Sequence, residues 1–139
     1  MIARELMTAD PVTVDSKASI ADAWELMREL SIRHVPVVDH GVLVGMLSDR
    51  DLGQLDIGRV LNLEGAAAAR AELARSVIES MSADVIFVHP ETEVVDVIGL
   101  LIEGRVGALP VVRPNTLEVV GIISYVDVLR ALQDLLADG

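Results

Sequence analysis

Two stretches of this chain place a hydroxyl and a carboxylate at one fixed spacing: Gly45-Met46-Leu47-Ser48-Asp49-Arg50-Asp51 and Gly121-Ile122-Ile123-Ser124-Tyr125-Val126-Asp127. Each follows an apolar run and opens an amphipathic segment, so each is expected where a strand passes into a helix N-terminus. Two chemistries fit. A serine three residues ahead of an acid makes a capping box, worth about 1 kcal/mol per cap. The same pair beside free N–H groups and the positive end of a helix dipole also suits a ligand carrying a diol and phosphates. In that reading the aspartate accepts from two ribose hydroxyls, and serine and amides face the phosphates. The spacing alone favours the cap, the commoner use of this signature.

The elements that must position these residues come as an internal repeat. Met7, Ala9, Asp10, Val14, Asp22, Leu26, Glu29, Pro36, Val37 and Val38 recur as Met81, Ala83, Asp84, Val88, Asp96, Leu100, Glu103, Pro110, Val111 and Val112 at one constant spacing. Past the next turn the second copy is two residues longer, and Gly45, Ser48 and Asp51 match Gly121, Ser124 and Asp127. Each copy predicts strand, helix, strand, strand, helix. In the first copy the strand is Pro11-Val12-Thr13-Val14. Its helix is capped by Ser19 with Asp22 and turns Ile20, Ala23, Trp24, Met27 and Leu30 inward. Val35-Pro36-Val37-Val38 follows, its proline predicting a strand start or sheet edge, and Asp39-His40-Gly41 turns into Val42 onward. Ser48 then caps a short helix over residues 49–55. In the second copy the strand is Val85-Ile86-Phe87-Val88, and the helix ends near Gly104. Leu109-Pro110-Val111-Val112 pairs with residues 117–123, and a last helix runs over residues 125–136. The division is residues 1–55 as the first repeat, 56–80 as a helical connector interrupted at Gly65, and 81–139 as the second repeat, the two repeats forming one module. Neither half can bury both faces of a three-stranded sheet, so the expected class is α/β, two repeats packed sheet to sheet with pseudo two-fold symmetry and related clefts between them.

Composition narrows the function. The chain has 139 residues, 22 acidic against 11 basic, for a formal charge of −11, which repels nucleic acid and anionic membranes. There is no cysteine, so disulfides and thiolate metal sites are excluded, and a cytoplasmic setting is expected. One Phe, one Tyr and one Trp leave few platforms for base stacking. His34, His40 and His89 show no metal-ligand spacing. Ser48 and Ser124 have no assigned base and sit in no nucleophile elbow, so an enzyme is not expected. Trp24 matches Ile98 and reads as core, and Met7 and Met81 read as core or dimer contacts.

The repeat of Met-Thr-x-x-Pro-Val-x-Val, an amphipathic helix, Arg-His-Val-Pro-Val-Val-Asp and Gly-x-x-Ser-Asp-Arg-Asp resembles the cystathionine-β-synthase (CBS) domain, and the tandem resembles a Bateman module. The resemblance covers nearly the whole chain. It implies a regulatory module, forming a homodimer and signalling to an effector protein, whose two clefts hold adenosyl ligands such as AMP, ADP, ATP or S-adenosylmethionine, with Mg as a possible companion of a polyphosphate. It implies Ser48 and Asp51, with Ser124 and Asp127, as ribose and phosphate contacts. It further implies purine contacts from Val12, Thr13, His34, Val35 and Pro36 in one cleft and Ile86, Phe87, Ala108, Leu109 and Pro110 in the other. Arg33 and Arg50 would meet phosphate in the first cleft, while their counterparts Gly107 and Val126 cannot. That leaves Arg105 as the second cleft's candidate cation, and predicts preferred nucleotide occupancy at Asp51. The rival expectation is a ligand-free structural or interaction module whose Ser-x-x-Asp pairs only cap helices.

Overall fold

The repeat reappears in the backbone as paired hydrogen bonds. The Val94 N–H donates to the Met1 carbonyl (2.9 Å) and the Ala3 N–H to that of Thr92 (2.7 Å). At the equivalent positions Ile20 donates to Arg75 (2.8 Å) and Val77 to Ala18 (3.1 Å). In both copies, a segment preceding one repeat is tied to the helix start of the other. The computed structural model describes residues 1–53 and 66–138, which contain helices α1 (Ala3–Leu6), α2 (Ile20–Leu30), α3 (Asp49–Gly53), α4 (Ala66–Leu73), α5 (Val94–Gly104) and α6 (Tyr125–Asp138). Strands are β1 (Thr8–Ala9), β2 (Val14–Asp15), β3 (His34–Asp39), β4 (Val42–Ser48), β5 (Ala108–Val112) and β6 (Val119–Ser124). The far end of the expected helix over 49–55 and the break at Gly65 lie outside the described residues.

The chain forms two compact units whose boundaries cross the repeats. One comprises Met1–Pro11, Gly41–Leu43 and Ile86–Gly139, the other Val12–His40 and Val44–Val85. The first carries the sheet β1-β6-β5, in which β1 runs antiparallel to β6 with Thr8 opposite Ile122. Its core is Ala3, Val88, Val97, Leu101, Leu109, Val111 and Ile123. The second carries β2-β3-β4, with β2 parallel to β3 and Val14 opposite Val37. Here Ser82 pairs with Met46, the repeat image of Thr8 on Ile122. Its core is Val14, Ile20, Ala23, Met27, Val35, Val37, Leu47, Leu52 and Val77. Trp24 packs against this core, half-buried, with the Arg28 guanidinium 4.9 Å from its ring centroid. Leu30, expected inward, is exposed.

The segment exchange explains two residue choices. The motif glycines lie under methionines: a Cβ at Gly45 would stand 2.9 Å from Met81 Cγ, and one at Gly121 would stand 2.9 Å from Met7 Cγ. Both methionines are therefore intrachain packing residues. The turn after β3 has positive φ at His40 (52°) and Gly41 (82°), the pattern of a type I′ hairpin turn.

Two strand expectations are corrected. The strand expected at residues 11–14 is the pair Val14–Asp15, and that at 85–88 is reduced to one parallel bridge between Val88 and Val111. Pro36 lies inside β3, the middle strand of its sheet, rather than at an edge. The reason is visible at its counterpart Pro110, whose carbonyl accepts from the Val88 N–H (3.1 Å). A strand residue presents N–H and C=O to the same side, so the missing proline donor faces the short neighbour just before pairing begins. Proline thus shortens the neighbouring strand instead of occupying an edge.

Candidate functional site

Each Ser-x-x-Asp motif sits where the expected strand meets the expected helix. At the end of β4 the Ser48 N–H donates to Asp51 Oδ2 (2.8 Å) and the Asp51 N–H donates to Ser48 Oγ (3.2 Å). At the end of β6 the Ser124 N–H donates to Asp127 Oδ2 (2.8 Å), the Ser124 hydroxyl to the same oxygen (3.1 Å), and the Asp127 N–H to Ser124 Oγ (3.3 Å). Both are capping boxes, as the spacing favours. The cap engages one carboxylate oxygen. Oδ1 of each aspartate accepts no hydrogen bond among the described residues, and both aspartates are half-buried.

A second bond ties the residue just before β3 or β5 to each cap. The Asp49 N–H donates to the Arg33 carbonyl (2.9 Å), and the Tyr125 N–H to that of Gly107 (3.1 Å). Residues 33 and 107 thus turn their polar groups toward the capped strand, and by alternation His34 and Ala108 turn theirs the opposite way. The carbonyls of Val38 and Pro110 confirm the alternation by accepting from Ser16 and Val88 on that opposite side. There the ladder has not begun: Val12-Thr13 and Ile86-Phe87 precede the first paired residues, Val14 and Val88. The backbone N–H and C=O of His34 and Ala108 therefore face unladdered chain, a donor–acceptor pair suited to the edge of a planar heterocycle. Sequence did not reveal the 49-to-33 and 125-to-107 bonds, although their equal repeat positions were a usable signal.

The side chains fall into two sets. Val12, Thr13, Arg33, His34, Val35, Pro36, Ser48, Arg50 and Asp51 all lie in one unit, and Ile86, Phe87, Ala108, Leu109, Pro110, Ser124 and Asp127 in the other. Val35 and Leu109 are fully buried core residues, and Pro36 and Pro110 are equally enclosed. Val12 and Phe87 are exposed, Phe87 meeting the His89 ring edge-on at 5.8 Å. Ile86 lies over Gly104, where a Cβ would stand 2.6 Å from its Cδ1. Burial pushes the His34 imidazole below its ordinary 6.5, Asp49 and Asp51 pull it up, and Arg33 pushes it down again, so His34 is neutral at pH 7. Arg33 and Arg50 are exposed and make no ion pair among the described residues. No group of three or more His, Asp or Glu among the described residues is arranged to hold a metal ion. No helix among them is long and apolar enough to cross a membrane.

The family model of the CBS domain matches residues 3–54 and again 74–134. The chain belongs to the CBS domain family. This CBS pair is 32% identical over 124 residues to the CBS domain-containing protein YhcV of Bacillus subtilis, covering 89% of this chain and 80% of the relative. Its fold matches the crystal structure of CBSX2 in complex with AMP, with a TM-score of 0.80, 28% identity, and coverage of 96% of this chain and 97% of the other. It also matches the CBS domain pair of protein MJ0100 in complex with 5′-methylthioadenosine and S-adenosyl-L-methionine, with a TM-score of 0.78, 26% identity, and coverage of 96% and 97%. Other curated relatives are longer, and the chain spans 23% to 42% of four of them.

Proposed function

We propose that this CBS pair is a regulatory module that binds an adenosyl ligand, of the class of AMP, ADP, ATP or S-adenosylmethionine, at the Asp51 and Asp127 sites. The observation that carries the reading is the geometry of the aspartates. Each is held by its serine through one oxygen, keeps the other for a diol, and lies at the end of a strand pair whose neighbouring backbone offers an unladdered donor and acceptor. The AMP, 5′-methylthioadenosine and S-adenosylmethionine named for CBSX2 and the MJ0100 pair support the ligand class. Purine contacts fall to Val12, Thr13 and the His34–Pro36 backbone in one site, and to Ile86, Phe87 and the Ala108–Pro110 backbone in the other. Arg33 and Arg50 meet phosphate, with Mg joining a polyphosphate.

The module acts by changing its contacts with itself or an effector protein rather than by catalysis. Ser48 and Ser124 spend their hydroxyls on caps, and a response requires only that ligand bind two states unequally. Leu129, Leu132, Leu135 and Leu136 of α6 are exposed and form the self-association face of a homodimer. A cytoplasmic setting suits the cysteine-free chain.

Thermal unfolding with AMP, ADP, ATP and S-adenosylmethionine, each with and without Mg, tests the reading. Ligand at about 100 times its Kd adds about 2.7 kcal/mol, several degrees for a chain of this size. The chain's own groups complete both caps, which is all that the rival structural module requires, and no shift with any of these ligands would favour that rival.

A further inference from the structure

We infer that the two sites sort adenosyl ligands by charge, the Asp127 site taking one with an uncharged, apolar 5′ substituent and turning away the 5′-phosphorylated ones that the Asp51 site accepts. The inference rests on the adenosyl reading above and assigns each site its ligand class. The frame is common to both: the same cap, the same bond from the residue after serine to the start of β3 or β5, and the same backbone alternation. What differs is the ring of side chains on that frame. Arg33, His34, Asp49 and Arg50 stand at the start of β3 and the head of α3, while Gly107, Ala108, Tyr125 and Val126 hold the matching positions at β5 and α6.

The first site therefore offers two guanidiniums with no carboxylate partner among the described residues, each able to take a phosphate in paired hydrogen bonds. The second offers the Asp127 carboxylate with no cation at any matched position, in a chain of formal charge −11. A phosphate dianion there meets like charge without compensation. Val126 and Tyr125 are 38% and 46% exposed, so the place of Arg50 and Asp49 is taken by accessible apolar surface, which suits a thioether or alkyl substituent. Two cations stand near in sequence: Arg105, the exposed left-handed cap of α5, whose repeat counterpart is Ser31, and the exposed Arg130, one turn past Asp127 on α6. The test includes the removal of each.

The measurement is isothermal titration of the full chain with AMP and with 5′-methylthioadenosine, using Asp51→Asn, Asp127→Asn, Arg105→Ala, Arg130→Ala and the pair Asp51→Asn with Val126→Arg. Asparagine keeps the acceptor that each cap needs and removes the second one. Asp51→Asn is expected to weaken AMP by about tenfold or more and leave the thioether within about twofold, with Asp127→Asn doing the reverse, the yield of one charge-assisted contact. Arg105→Ala and Arg130→Ala should move neither ligand, and adding Val126→Arg should restore AMP binding. AMP binding that survives Asp51→Asn and falls with Asp127→Asn, Arg105→Ala or Arg130→Ala overturns the sorting, as does equal weakening of both ligands by either aspartate variant. A wild-type chain that binds neither probe refutes the adenosyl reading itself.

Discussion

Replacing Gly45 or Gly121 by alanine tests the exchanged packing directly, because the same substitution meets two different obstacles. A Cβ at Gly45 would contact Met81 Sδ, with Cγ at 2.9 Å and Cε at 3.1 Å; the nearest atom and one other belong to the far end of a flexible side chain. At Gly121 the contacts are Met7 Sδ, Cγ at 2.9 Å and Cβ at 3.1 Å, and the last is fixed to the backbone. Overpacking costs about 1–3 kcal/mol, while replacing glycine inside a strand recovers roughly 0.5–1 kcal/mol of backbone entropy. Gly45→Ala should therefore cost about 1 kcal/mol or less, and Gly121→Ala about 2 kcal/mol. In a Met81→Ala background Gly45→Ala should become neutral or stabilising, a coupling of about 1 kcal/mol. Met7→Ala should relieve Gly121→Ala only in part, since its Cβ remains. Urea unfolding with an unchanged m value reads these differences as midpoint shifts. If Gly45→Ala costs the same with or without Met81, or if crossing the pairs (Gly45→Ala with Met7→Ala) gives the rescue, the assignment of each methionine to its glycine is wrong.

Three further outcomes follow from the caps, the core and the half-buried imidazole. Ser19→Ala removes the hydroxyl that accepts from the Asp22 N–H (3.1 Å) and should cost about 1 kcal/mol in urea unfolding, with little effect on ligand binding. Leu109→Ala, at a fully buried position in the first unit's core, should cost about 2–5 kcal/mol, measured the same way. His34 has its pKa lowered by burial in the folded chain, so the unfolded chain binds more protons as pH falls below 6.5. Stability is therefore full above that value and declines as pH drops toward the lower folded pKa. Melting temperatures between pH 7.5 and 5 should show this slope in the wild type and a flatter one in His34→Gln, and parallel curves would refute the assignment.

The repeat, the apolar strands and the serine caps were legible because each is a local pattern: period, spacing, or a hydroxyl three residues before an acid. Which segment packs on which sheet was not, and the reason is the repeat itself. Met7 is as good a partner for Gly45 as for Gly121, and Thr8 could pair with Met46 as well as with Ile122, since the copies present equal chemistry. Connectivity breaks the tie, and both copies break it the same way, Met7 on Gly121 and Met81 on Gly45, a choice that no window of sequence contains. The short first strands were hidden for a related reason. Val12-Thr13 and Ile86-Phe87 have strand composition, but their partner strand carries proline where a donor is needed, a constraint visible only once the parallel pairing is known. The same missing ladder leaves the His34 and Ala108 backbones facing unladdered chain, so the feature that defeated the strand expectation is the one on which the proposed purine contact rests. The charge contrast was legible throughout, since Arg33, Arg50, Gly107 and Val126 are side-chain identities on one frame. What remained hidden is the part that burial and hydrogen bonding decide: the neutral state of His34, and which carboxylate oxygen the cap leaves over.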